Sequence, residues 1–326
     1  MNDRPNDRPA NDRTEPDATP LDDAARAGWL YYVGGLTQDQ IAQELGVSRQ
    51  RAQRLVSRAM AEGLIHVRLN HRIGACLDLE TALTARFGLV RCRVAASLGR
   101  NADPARAIAA TAAAELERYL RMPEPLVIAF GTGRALRAMA DQFTPTGAGQ
   151  HRIVSLLGNI APDGSATLYD VIRQVAEKLK APYFPMPIPV ISDTAEERGF
   201  FLHLRPVQAV VQLAQQADVT FVGIGQMGAD APLVLDGFVS AEVLAELQAQ
   251  GATGEIASWV FDTMGRYIDS PRNALVGSVR IDPGRKKPVI AVAAGAAKVD
   301  AIRAAMLGHI VNGLVTDEDT AVALLR

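Results

Sequence analysis

The chain has few of the residues on which disulfide-stapled or metal-bound folds depend. Two of its 326 residues are cysteine, five are histidine, and aromatics make up 5%. Cys76 and Cys92 stand sixteen positions apart with no Cys-x-x-Cys pairing. Neither a disulfide framework nor a zinc site is therefore expected, no cofactor is expected, and a reducing, cytoplasmic compartment is. No apolar run reaches the roughly 18 residues that a membrane-spanning helix needs, and the first residues lack the apolar core of a signal peptide. Charge of one sign is also scarce, since the net charge is −2. The chain as a whole is thus no general polyanion binder, and any affinity for nucleic acid must be local. Apolar residues, by contrast, are abundant at 48%. A chain of this length and composition suits one large domain with a substantial core and a small one beside it.

The local basic segment is easily found. From Gly46 to Arg72 there are six arginines, at 49, 51, 54, 58, 68 and 72, against one acid, Glu62. Just before it, Thr37 and Gln40 have the spacing of a capping box, which predicts a helix from there to about Leu45. Gly46 suits a left-handed helix stop, and Ser48 offers the N-cap of a second helix. In that helix Ala52, Leu55, Val56 and Ala59 recur at three and four, forming one apolar stripe. Gln50, Arg54, Ser57 and Gln53 fall on the other side. Arg suits guanine edges and Gln suits adenine, and a helix of this width fits the major groove of DNA. The plainer alternative is a helical hairpin with a solvated arginine face.

Around this unit, residues 1–20 repeat Asn-Asp-Arg with four prolines and read as a disordered tail. Leu21 to Val33 reads as a supporting helix. Leu64 to Leu69 alternates as a short strand, and three helices followed by a strand make a winged helix over residues 21–72. His66 and His71 read as polar residues of that wing. Residues 78–87 look like a linking helix within a linker at 73–89, ended by Gly88.

From residue 90 to 326 short apolar runs alternate with amphipathic stretches, the pattern of an α/β domain with a mainly parallel, doubly wound sheet. Strands are predicted at 91–96, 126–130, 152–157, 218–224, 276–281, 289–293 and 313–316. Helices are predicted at 104–121, 134–143, 166–180, 205–217, 240–250, 298–307 and 317–325. In such a sheet ligands sit beyond the carboxyl ends of the strands. The strand ending at Phe130 runs into Gly131-Thr132-Gly133-Arg134 and then a helix, which presents backbone N–H groups to a ligand but lacks the Gly-Lys-Ser/Thr ending of a nucleotide loop. Gly223 to Gly228 formally satisfies GxGxxG, yet Ala-Asp-Ala-Pro follows it instead of a helix. A tight strand exit beside a small-molecule cleft fits better than a dinucleotide site. Glu255, Asp262 and Lys298 are polar candidates in the last third, each with the alternative of an ordinary surface or capping role. No serine–histidine–aspartate order or HExxH helix is present, and no catalytic residue is assigned.

Taken in order, LTQDQIAQELGVSR, AFGTGRAL, LLGNIA, DVTFVGIG, GATGEI, FDTMG and PVIAVAAGAAKVDAIRAAMLGHIVNGLVTDEDTAVALL closely resemble the SorC/DeoR-type sugar-binding transcriptional regulators, from about residue 22 to the end. The resemblance implies an N-terminal helix-turn-helix and a C-terminal effector domain similar to the sugar-phosphate isomerases. It implies a homodimer or homotetramer whose grip on operator DNA is set by a sugar, polyol or sugar phosphate. Matched motif by motif, it puts the effector on Gly131, Thr132, Gly133, Arg134, Asn159, Gln226, Glu255, Asp262 and Lys298. At the DNA surface Gln50, Gln53 and Arg54 are expected to read bases and Arg49, Arg51, Arg58 and Arg68 to hold phosphates, with Thr37, Ser48 and Ser57 completing the set. Gln50-Arg51-Ala52-Gln53 replaces a common Pro-Thr-Val-Ser pattern, so the operator sequence does not transfer from relatives. A different class of function, a sugar-phosphate isomerase or deaminase carrying a DNA-binding domain, would use Glu255 or Asp262 as base and Lys298 on the phosphate.

Overall fold

A computed structural model describes residues 19–65, 73–99, 102–144, 147–161, 164–165 and 171–326. The chain divides into two compact units, Met1–Asn70 and His71–Arg326. In the first, α1 (Pro20–Tyr32), α2 (Gln38–Glu44) and α3 (Arg49–Ala61) close around Ala24, Ala27, Ile41, Ala52, Leu55 and Ala59. The predicted signals operate as expected at both helix starts. Thr37 N–H donates to Gln40 Oε1 at 2.9 Å while Gln40 N–H returns to Thr37 Oγ1 at 3.4 Å, and Ser48 Oγ accepts from Arg51 N–H at 3.3 Å. Gly46, at φ 63°, makes the left-handed turn between α2 and α3, a conformation that costs other residues roughly 1–2 kcal/mol. The predicted wing strand runs beyond Ile65, so most of it, with His66, Arg68 and His71, lies outside the described residues.

The second unit begins with α4 (Gly74–Phe87), a longer helix than the linking one predicted, whose Cys76 and Leu83 are buried in this unit's core. There follow β1 (Arg91–Ala95), α5 (Pro104–Leu120), β2 (Val127–Phe130), α6 (Arg134–Gln142), β3 (Arg152–Ile160), α7 (Val171–Leu179) and β4 (Tyr183–Pro189). Next come α8 (Ala195–His203), α9 (Arg205–Gln215), β5 (Val219–Val222), β6 (Gly225–Gln226), α10 (Pro232–Leu235), α11 (Ala241–Ala249), β7 (Gly254–Ile256) and β8 (Trp259–Phe261). The chain closes with β9 (Val289–Val292), α12 (Val299–Leu307), β10 (Gly313–Asp317) and α13 (Glu318–Leu325).

Seven strands form one sheet in the order β1-β10-β9-β5-β2-β3-β4, every pair parallel. The central strands VIAF, VTFV and VIAV are buried throughout, because helices cover both faces and alternation has no solvent side to respond to. Ile128, Phe130, Phe221 and Val292 pack under α5, α6 and α7. Ala129, Val222, Ala291 and Leu314 face the opposite core with α4, α9, α12 and α13. A small antiparallel sheet, β6-β7-β8, lies outside the main one.

Besides α8, α10 and the small β6-β7-β8 sheet, none of them expected, two parts of the main sheet differ from the sequence expectation. The predicted strand 276–281 is no strand: Val276 and Ser278 make single bridges to Ile191 and Leu157. Its alternating apolar residues are buried, but the segment crosses the ends of β3 and β4, with Gly277 N–H on Val190 O at 2.8 Å. Conversely, β4 was not expected. Its sequence, YFPMPIP, carries three prolines, and the strand exists because it is the sheet edge, where a proline's missing donor leaves no central ladder broken.

Candidate functional site

The face of α3 opposite its buried stripe is fully presented: Ser48, Arg49, Gln50, Arg51, Gln53, Arg54, Ser57 and Arg58 are all exposed. Its arginines are held loosely. Arg49 lies 3.4 Å from Asp39, Arg51 3.5 Å from Asp23 and Arg58 3.5 Å from Glu62, while Arg54 Nε donates to the Gln50 carbonyl at 3.3 Å. Exposed pairs of this kind are worth at most about 1 kcal/mol and are screened by salt, so phosphates can displace the acids cheaply. Thr37 is exposed too, but its hydroxyl serves the α2 cap.

The second unit contains a cavity of about 480 Å3 at the carboxyl ends of β2, β3 and β5. That is a typical volume for a small-molecule site. Each wall follows from a strand exit. The strand β2 ends in Gly131-Thr132-Gly133, and Gly133, at φ 121°, turns the chain into α6 so that its first N–H groups open toward the cavity. Asn159 and Ser155 come from β3, Gly223 to Gly225 from the exit of β5, and Lys298 from the short helix after β9. Tyr183 and Pro185, two apart on the edge strand β4, close one side.

Among the described residues four charged side chains line this space. Arg134 Nη2 lies 3.2 Å from Asp236 Oδ1, and Glu255 and Lys298 both line the cavity and act on one another electrostatically. Glu255 sits on β7 opposite Gly225, where a side chain on the glycine would collide with the carboxylate. The β7–β8 turn, Ala257-Ser258, has both residues at positive φ, 53° and 66°, the shape of a tight two-residue hairpin. That strained turn aims the Ser258 N–H at Glu255 Oε2, 2.9 Å away. Burial pushes the Glu255 carboxyl above its ordinary range, against the pull of the Ser258 N–H and of Lys298. Burial likewise lowers the Lys298 ammonium, helped by Arg134 and opposed by Glu255. The Asn159 Oδ1 is buried and has no hydrogen-bond partner among the described residues.

Of the expected effector residues, Gly131, Thr132, Gly133, Arg134, Asn159, Glu255 and Lys298 thus come together. Gln226 and Asp262 do not line the cavity. Gln226 Nε2 bonds Asp230 at 2.8 Å and its Oε1 accepts from Gly228 N–H, so this amide organises the turn that the GxGxxG spacing marked. Asp262 accepts from the Met264 and Arg266 N–H groups at 2.8 and 2.9 Å and pairs with the Arg266 guanidinium at 2.8 Å. Burial raises its carboxyl, but those bonds outweigh it and hold it below the usual range. Asp236, Ser155, Ser258 and Tyr183 line the cavity and were not expected to. None of the four stands in a motif that the sequence singled out for a ligand. No histidine or cysteine lines the cavity among the described residues, so the site has groups to hold a ligand but no imidazole to shuttle its protons.

Residues 71–326 match the sugar-binding domain family (Sugar-bind), and residues 27–72 match the MarR family. The erythritol catabolism regulatory protein EryD of Brucella abortus is 34% identical over 302 residues, covering 93% of this chain and 96% of that protein. The transcriptional regulator LsrR of Escherichia coli K12 is 33% identical over 309 residues, 93% of this chain and 94% of the relative. Among solved structures, the full-length sorbitol operon regulator SorC of Klebsiella pneumoniae superposes with a TM-score of 0.70 at 26% identity, covering 94% of this chain and 99% of that one.

Proposed function

The chain belongs to the SorC-type family of sugar-binding transcriptional regulators, and we propose that it binds an operator through α3 and changes that grip when a sugar, polyol or sugar phosphate fills the cavity. The observation that carries this reading is the pairing of the two features in one chain. An exposed Arg/Gln face lies in one unit, and a ligand-sized cavity ringed by hydrogen-bonding groups lies in the other. An effector can shift DNA affinity only by the extent to which it distinguishes the DNA-competent state from the other. Gln50, Gln53 and Arg54 read base edges, and Arg49, Arg51, Arg58 and Arg68 hold phosphates. Thr37 and Ser48 fix the helix starts that aim them, and Ser57 lies on the same face.

One helix-turn-helix buries little surface, so the chain acts as a homodimer or homotetramer that spans half-sites one helical turn, roughly 34 Å, apart. The relatives that support the regulator reading are themselves named as regulators, of erythritol catabolism and of a sorbitol operon. The protein senses a carbohydrate and does not transform it, and it works in the cytoplasm beside its DNA. Among the described residues no helix is long and apolar enough to cross a membrane.

The test is a thermal-shift screen of the full chain against sugars, polyols and their phosphates. A ligand at a hundred times its dissociation constant stabilises the fold by about 2.7 kcal/mol, a readily seen shift. Silence toward every carbohydrate would remove the sensor reading. Turnover of a sugar phosphate, lost on Glu255→Gln, would replace it with an enzyme.

A further inference from the structure

The turn that brings Lys298 to the cavity wall is anchored from outside itself. It is a single 3-10 turn, Ala296–Lys298, with a bond from Lys298 N–H to Gly295 O at 2.9 Å. Such turns have poor hydrogen-bond geometry and hold their shape weakly on their own. Gly295 enters it at φ 114°, a backbone conformation that favours glycine. The Gly295 N–H donates to Thr320 Oγ1 at 2.8 Å. Thr320 is 2% exposed and stands in the first turn of α13, where its own N–H donates to the Asp317 cap at 2.9 Å. The hydroxyl of one buried threonine thus ties the turn that carries Lys298 to the start of α13.

From α13 the packing continues to α4. Ala321 and Leu324 share one apolar cluster with Cys76 and Leu83 of α4, and Arg86 of α4 donates to the carbonyl of Leu325 at the far end of α13. A close-packed interior has little free volume to absorb a displacement, so it passes one on. The place of α4 in the chain gives that displacement a destination: α4 starts at Gly74, and the first unit ends at Asn70. Burial lowers the Lys298 ammonium, so a ligand that offers it acceptors restores what burial takes away and draws on this turn. No residue of α13 lines the cavity among the described residues, so Thr320 acts on a ligand only through the turn it holds.

Resting on the reading of the cavity as the effector site, we propose that Thr320 is a positioning residue of the effector response. Its hydroxyl sets the Lys298 turn, and through that bond a ligand held by Lys298 changes the packing of α13 on α4, the helix that follows the helix-turn-helix unit in sequence.

The experiment is hydrogen–deuterium exchange of the full chain, alone and with saturating alditols and aldoses of four to six carbons and their terminal phosphates, on wild type, Thr320→Val and Thr320→Ser. Valine keeps the shape and loses the acceptor, whereas serine keeps the acceptor. In wild type and Thr320→Ser a bound compound should slow exchange both in the Gly131–Arg134 loop and in α4, the latter by about fivefold or more. In Thr320→Val the loop should still respond while α4 does not, and titration calorimetry should show the compound binding about three- to tenfold more weakly, the loss of one hydrogen bond. A response of α4 that survives in Thr320→Val overturns the proposal and leaves the effector reading standing. So does a Thr320→Ser that behaves as the valine variant, because packing and not the acceptor is then at work. The wild-type arm decides even if Thr320→Val does not fold: a loop that responds without α4 overturns the proposal. If no compound protects the loop, the effector reading of the cavity falls and this proposal with it.

Discussion

The two regions proposed to carry function use the same side-chain types in different surroundings. On α3 the pair Arg49–Asp39 has side chains 70% and 66% exposed, whereas in the cavity pair Arg134 is 51% and Asp236 19% exposed. In water a charge pair is weak, screened and independent of its neighbours. Inside the second unit the same kind of pair is coupled to others, and Glu255 and Lys298 are pushed in opposite directions by burial. The exposed face is suited to trading its acids for phosphates along a duplex. The enclosed site is suited to distinguishing one small molecule from another.

That contrast can be broken in order of expected effect. The largest belongs to the cavity: Lys298→Met removes a cation from the cavity wall, and a lost hydrogen bond to a charged group costs about 1.5–3 kcal/mol. Effector affinity should fall by at least about tenfold in titration calorimetry, while DNA binding without effector stays as it was. A variant that keeps its effector would place Lys298 outside the binding set. Next is the exposed face, where Arg54→Ala should cost about 1–3 kcal/mol at one operator base pair. If competition with unrelated DNA shows all sequences weakened alike, Arg54 holds a phosphate and reads no base.

Smaller still is Thr37→Ala, which removes the cap of α2 and should destabilise the first unit by about 0.5–2 kcal/mol in denaturant unfolding, leaving effector affinity untouched. The smallest effect is a pH slope. The Glu255 carboxyl, raised in the folded chain, is neutral in both states below its ordinary 4.5. As pH climbs through that value the unfolded chain ionises first and the folded one keeps its proton, so stability falls up to the folded value. The melting temperature of wild type should therefore decline against Glu255→Gln as pH rises above about 4.5. A constant difference would mean that burial does not hold the proton.

How much of this was legible in sequence follows from how local each signal is. The helix-turn-helix was readable nearly to the residue, because Thr37, Gln40, Gly46 and Ser48 act through bonds and turns a few positions long. The buried strands and the Gly131–Arg134 loop were readable for the same reason, an apolar run ending in glycine before a helix. What was hidden depends on partners distant in sequence. Edge position tolerates the prolines of β4, and no local pattern announces an edge. Asp236 is paired with Arg134, 102 positions away. Gln226 and Asp262 mark the converse, polar residues inside distinctive motifs whose bonds close turns beside them and leave nothing for the cavity. A motif locates a rigid piece of backbone, and whether its polar atoms face a ligand is settled by the fold around it.

The central claim is that cavity and recognition helix are thermodynamically linked. The most direct measurement is the dissociation constant of the full chain for its operator, by fluorescence anisotropy at fixed salt, with and without a saturating cavity ligand. Linkage predicts a change of about 5- to 150-fold, and the same factor in the ligand's own affinity when operator is bound. An operator affinity that is identical with the cavity filled would contradict the account, however tightly each partner binds alone.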